Sequence, residues 1–401
     1  MRRALAAAAL LLLAGCGGGE ARPAAPSPAE RDLRVLAARM QELHPALAPG
    51  TAARASFRQR AEALAARAGS LSREQLLVEV MRLTALGDRN GHTGVFVFGA
   101  NARPLHVYPL RLYDFGDGLW VVDADDPGVV GRRVTAIDGV PLARIEAAAR
   151  SLVPHDNAES LRLLLPEAVV TEEVLVGLGL GAGGAARFAF ADGSTAELWP
   201  VPAPSFVRGS ALQPLRRPAE PQPLWLRHQE AAAWLTTVDG GHAVYLGYHE
   251  VEAPPPPLLD RLIRLARRPS VRRVVVDLRL NGGGDNTTYW GVVDAVRRAG
   301  RKAVVLIGRT TFSAAGNLAA VLDDETRARF VGEPTGGSPN QWGDSAPVEV
   351  PSLGVTVHVA LQAVEVVPGD RRLAVEPDLP VELTAAEFFA GRDPVLARAL
   401  R

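Results

Sequence analysis

The 401-residue chain contains one lysine, Lys302, and one cysteine, Cys16. A single cysteine excludes an internal disulfide framework and any multi-cysteine zinc site. Lys+Arg and Asp+Glu each number 44, so the net charge is zero. No segment is strongly basic, and nucleic acid is not expected as a partner. There is no His-Glu-x-x-His pair and no phosphate-binding Walker loop. No metal and no cofactor is therefore expected. The apolar run Ala4–Ala14 is too short to span a bilayer.

What is present centres on Val271–Asn317. Two β-branched apolar runs, Val274–Leu278 and Ala303–Ile307, read as buried strands. A helical pattern, Thr287–Arg298, lies between them. That order predicts a βαβ unit with parallel strands and a right-handed crossover. The first strand runs into Asn281-Gly282-Gly283-Gly284 and the second into Thr311-Phe312-Ser313. Ligands of open α/β sheets bind beyond the carboxyl ends of the strands, so the two loops should share one crevice. Ser313 precedes a good helix former, Ala314–Leu322. It reads either as an N-cap or as a nucleophile at a helix N-terminus. In the second reading, the N–H groups of Ala314 and Gly283 hold the oxyanion. Ser313 is not in a Gly-x-Ser-x-Gly elbow, which disfavours an α/β-hydrolase.

The blocks VVVDLRLNGGG, LIGRTTFSAAGNLAA and FVGEPTGG, in this order and spacing, resemble the tail-specific (C-terminal processing) serine peptidases and their tricorn-like relatives. The resemblance implies a Ser313 nucleophile and an oxyanion site at the glycine loop. It also implies a substrate crevice lined by Gly282, Gly284, Thr335, Gly336 and Gly337, with Trp342 and Gly343 on its wall. Better-known members use a lysine base in a Thr-x-Gly-Lys pattern. Here Thr335-Gly336-Gly337 is followed by Ser338, and Lys302 starts the strand whose far end leads to Ser313. A histidine must then activate the serine. Relatives with a histidine base carry it in a Gly-Asp-x-His-Thr-like turn, which matches Gly87–Thr93 and points to His92. Two extra residues separate Asp88 from His92, which leaves the role of Asp88 open. His92 also reads as a plain loop histidine, and His242, His249 and His358 are lesser candidates for the base. The carboxylate that orients the base is assigned to Asp370, with Glu365 and Glu376 as rivals.

The resemblance implies a multidomain α+β fold. Residues 29–91 form a helical N-terminal module, in which His44-Pro45 matches the relatives and His44 is read as packing. Residues 92–200 form a β-rich, PDZ-like module around Val134–Ile137 and the Asp138-Gly139 turn; it is either structural or a binder of peptide C-termini. Residues 201–240 are a proline-rich linker. Residues 241–401 are a ClpP/crotonase-like α/β peptidase core. Residues 1–28 read as a signal peptide and tether. Leu13-Ala14-Gly15-Cys16 resembles a bacterial lipobox, which implies lipidation of Cys16, export and a membrane anchor. The expected function is hydrolysis of exported peptides or proteins. The alternatives are a non-catalytic binder on the same scaffold and an esterase. Oligomeric state is left open.

Overall fold

The computed structural model describes residues 25–401. Residues 1–24, which hold most of the expected signal segment and tether and include Cys16, lie outside the described residues. Among the described residues, no helix is long and apolar enough to cross a membrane.

The fold is mixed α+β, with several separate sheets. Three helices open it: Pro28–Leu43, Ala52–Arg67 and Arg73–Thr84. Each starts at a hydroxyl cap. Ser27, Thr51 and Ser72 accept from the third helical amide, and Ser72 and Gln75 cap each other reciprocally.

A six-stranded sheet follows the order Ala233–Val238, Ala243–Tyr248, Arg273–Asp277, Ala303–Ile307, Arg329–Gly332, Leu379–Pro380. The first pair is antiparallel and the rest are parallel. Parallel strands laid down in sequence order need crossovers of one hand, which puts the connecting helices on one face. Helices Pro256–Ala266, Trp290–Ala299 and Ala314–Glu325 accordingly pack with Val274, Val276, Val305 and Ile307. Alternate residues Val275, Val304 and Leu306 point the other way, onto helix Pro394–Leu400. Both faces are covered, which is why these strands read as unbroken apolar runs.

The expected βαβ unit is present, with a shorter helix. Thr287 and Thr288 stay outside it because the Asp285 carboxylate accepts from the Thr287 N–H and hydroxyl, at 2.8 and 2.7 Å. Strand Ala233–Val238, within the expected linker, joins the sheet at its edge.

Between helices and sheet lie a hairpin, Leu110–Asp114 with Leu119–Ala124, and a four-stranded sheet containing Val134–Ile137. This part is less purely β than its sequence suggests, since it also holds helices Ala158–Val169 and Glu172–Gly177. Pro166 inside the first of these masks the helical pattern. A long hairpin, Asn340–Val350 with Val355–Glu365, comes late in the chain but pairs with Gly94–Val95. Its Val348, Val355, Val357 and Val359 share one apolar cluster with Leu36, Leu77, Val95 and Ile145. The sheet residues form a different cluster.

Candidate active site

Ser313 follows the end of strand Ala303–Ile307 and stands at the N-terminus of helix Ala314–Glu325, with φ 51° and ψ −128°. Such a conformation costs a non-glycine residue about 1–3 kcal/mol. Bonds from the two preceding residues hold the loop that imposes it. Thr311 Oγ1 donates to the Leu278 carbonyl at 2.8 Å, and the Phe312 N–H donates to the Asn281 carbonyl at 3.1 Å. The glycine loop and the serine loop therefore meet, as the sequence led one to expect. A Cβ on Gly283 would stand 2.7 Å from that of Ser313, so only glycine fits there.

The expected oxyanion donors fare differently. The Ala314 N–H has no partner among the described residues. The Gly283 N–H already donates to Asn281 Oδ1 at 3.0 Å. Gly283 thus supplies close approach rather than a free donor.

Beneath the loop, Arg279 is clamped between Asp277 and Asp393, with contacts of 2.6 and 2.9 Å. Burial opposes the Asp277 charge, but Arg279 and the Tyr245 hydroxyl outweigh it and hold this carboxyl below its ordinary range.

His92 sits in a turn before strand Gly94–Val95. Buried hydrogen bonds shape that turn. Asn90 donates to the Thr84 and Thr93 carbonyls at 3.1 and 3.4 Å. His44 Nε2 meets Asn90 Oδ1 at 2.8 Å, while His44 Nδ1 accepts from the Ala46 N–H at 3.1 Å. That pair of contacts puts the His44 proton on Nε2 and gives His44 a structural task. The outcome is an imidazole aimed at the serine: His92 Nε2 lies 3.0 Å from Ser313 Oγ. The ring of Phe312 stacks on His92 at 4.8 Å between centroids.

Burial pushes His92 down to about 4, against the Asp344 carboxylate and the Trp342 backbone, both of which favour the charged ring. His92 is therefore neutral at neutral pH. Its buried Nδ1 has no hydrogen-bond partner, so the Trp342 backbone acts on it from outside bonding geometry.

Asp370 is not the orienting carboxylate expected. It pairs with Arg372 at 2.7 Å and makes no hydrogen bond to His92. Glu365 accepts from the Gly369 N–H, and Glu376 is exposed. Exposed Asp88 faces His155 at 3.7 Å. Asp344, an exposed carboxylate one residue past the Trp342-Gly343 pair placed on the crevice wall, favours the charged ring through its charge alone, without a hydrogen bond to His92.

The serine's surroundings also correct the expected crevice. Thr335, Gly336 and Gly337 are buried. Thr335 Oγ1 donates to the Gly337 carbonyl and accepts from the Val375 N–H. A Cβ on Gly336 would fall 1.9 Å from the Arg309 carbonyl oxygen. These residues brace the serine loop from behind. Ser338 is buried too, its hydroxyl donating to the Leu373 carbonyl at 2.9 Å. Gly282 and Gly284 are exposed and, with Gly283, border a cavity of about 450 Å³. Tyr113, Leu163, Leu212, Leu280 and Leu383 give that cavity an apolar wall. Lys302 precedes the strand, at the end opposite Ser313.

No protein-family model matches the sequence, and no curated protein matches it. Solved structures do. A mutant of CPAF is 15% identical, with a TM-score of 0.61 over 91% of this chain and 94% of that one. Mature CPAF complexed with lactacystin is 14% identical, with a TM-score of 0.57 over 91% and 95%. The photosystem II D1 C-terminal processing protease is 14% identical, with a TM-score of 0.44 over 92% and 99%. The chain thus shares the fold of CPAF over nearly its whole length.

Proposed function

We propose that this protein is a serine-type peptidase of the tail-specific kind with histidine in place of lysine. Ser313 Oγ attacks a peptide carbonyl as its proton passes to His92 Nε2. The Ala314 N–H, at a helix N-terminus, meets the developing oxyanion. His92 returns the proton to the leaving amine, and water then releases the acyl group by the reverse use of the same pair. The cavity beside Gly282–Gly284 receives a substrate side chain. The observation that carries this reading is the 3.0 Å contact between His92 Nε2 and Ser313 Oγ. His92 is neutral at neutral pH and so presents a free lone pair to the serine proton, while its burial makes it a weaker base than an exposed imidazole.

A fluorophosphonate probe tests the reading. The wild type should be labelled at Ser313, and Ser313→Ala should not be labelled. His92→Gln should be labelled at least about 100-fold more slowly, within the range general-base catalysis contributes. Folded wild type that resists the probe defeats it. Export and anchoring through lipidated Cys16 belong to the same proposal. Palmitate incorporation in a bacterial host should be lost in Cys16→Ala.

A further inference from the structure

Asp156 lies in neither loop of the candidate site, yet its carboxylate touches the supports of both. One oxygen accepts from the Gly91 N–H at 2.8 Å, next to His92. The other accepts from the Ser338 N–H at 3.1 Å, next to Gly337. Gly337 packs in turn against the serine loop, where its Cβ would stand 3.1 Å from the Ser313 nitrogen. The residue is wholly buried.

Its backbone reinforces the same join. The Asp156 carbonyl accepts from the Arg89 N–H, and the neighbouring His155 carbonyl accepts from the Asn90 N–H, both at 2.9 Å. The following residue, Asn157, donates to the Thr335 and Leu373 carbonyls at 2.9 and 2.6 Å. Ser160 Oγ accepts from the Asp156 N–H at 2.9 Å, which anchors the carboxylate to the start of helix Ala158–Val169.

We infer that Asp156 is a positioning residue that latches the His92 turn to the loop behind Ser313 and so sets the imidazole–hydroxyl distance. This rests on the proposed roles of Ser313 and His92. A buried carboxylate bears a large desolvation cost, and burial raises this one to about 6, with the Gly91 and Ser338 amides and Arg89 opposing. If filling space were its task, an apolar residue would serve without that cost. An acceptor with two lobes joins two amides that no single hydroxyl or amide side chain joins equally well.

The test is Asp156→Asn, which keeps the size and one acceptor but turns an NH₂ toward one of the two amides. Fluorophosphonate labelling of Ser313 should slow by about 100-fold, the cost of misplacing reacting groups by about 1 Å. The loss should fall on the maximal labelling rate and not on half-saturating probe concentration. The ¹⁵N signals of the His92 ring should move with it. Wild-type labelling rates with unchanged ring signals would overturn the latch. So would a labelling loss that merely tracks the melting temperature while the ring signals stay put.

The ring signals also separate this idea from the one beneath it. A wild type that takes no label defeats the peptidase reading, while the ring shift in Asp156→Asn still decides the latch. Should that variant not fold, wild-type hydrogen exchange decides: the Gly91 and Ser338 amides must both be strongly protected, and fast exchange at either one overturns the proposal.

Discussion

Phe312 lies nearly flat against His92, their planes 22° apart, while the adjacent Ser313 meets the same imidazole through its hydroxyl. One dipeptide thus both bonds and backs the ring. Phe312→Leu keeps bulk and loses the stack, a contact of about 1 kcal/mol. Labelling of Ser313 should slow several-fold, and urea denaturation should show a comparably small loss of stability.

Gly283 has φ 120° and no room for a methyl group beside Ser313. Gly283→Ala should therefore displace the serine and nearly abolish labelling. Its effect on stability should be only about 1–3 kcal/mol, since the strain is local. Thermal melting alongside labelling checks the split.

Two carboxylates offer a paired comparison. Asp344 acts on His92, whereas Asp370 holds Arg372. Asp344→Asn should lower the His92 titration midpoint further and slow labelling by a few-fold to about tenfold, one pKa unit corresponding to about 1.4 kcal/mol. Asp370→Asn should leave the His92 titration unchanged. NMR titration of the ring in both variants distinguishes them.

His92 titrates near 4 in the folded protein, against an ordinary value of 6.5. Between these pH values the unfolded chain binds the extra proton, so this group's contribution to stability rises from pH 4 to 6.5 and is lost on acidification. Asp156, raised to about 6, acts in the opposite sense over an overlapping window. The comparison must therefore be made against His92→Gln. Relative to that variant, the wild type should lose on the order of 3 kcal/mol between pH 6.5 and 4, as read by denaturant unfolding at each pH.

Asp393 both pairs with Arg279 and caps helix Pro394–Leu400 through the Leu396 N–H at 2.9 Å. Asp393→Ala removes the cap and half of a buried ion-pair cluster. A loss of about 3–5 kcal/mol is expected, measured by chemical denaturation, with the glycine loop becoming more open to proteolysis.

The parts of this molecule that are legible in its sequence are the local ones. Apolar runs at Val274 and Ala303 announce buried strands because both sheet faces are covered. Ser313 and the glycine loop are legible as strand-end loops, and the absence of a lysine after Thr335-Gly336-Gly337 steers attention to His92. The remainder depends on long-range contact that no spacing records. Asp156 reads as an ordinary polar residue before a helix, because its two amide partners are 65 and 182 positions away. Thr335–Gly337 reads as crevice wall, but its glycines answer to the Arg309 carbonyl and the serine loop packed against them. Asp344 lies in a strand at φ 47°, and nothing in Trp342-Gly343-Asp344 signals that departure from strand conformation.

The imidazole hangs from an apolar cluster built by the first half of the chain and one late hairpin, while the hydroxyl grows from the cluster of the parallel sheet. Neither half holds a working pair by itself. On the proposed function, a nascent chain whose halves have not yet docked would lack the assembled Ser313–His92 pair, so docking and competence would arrive in a single event.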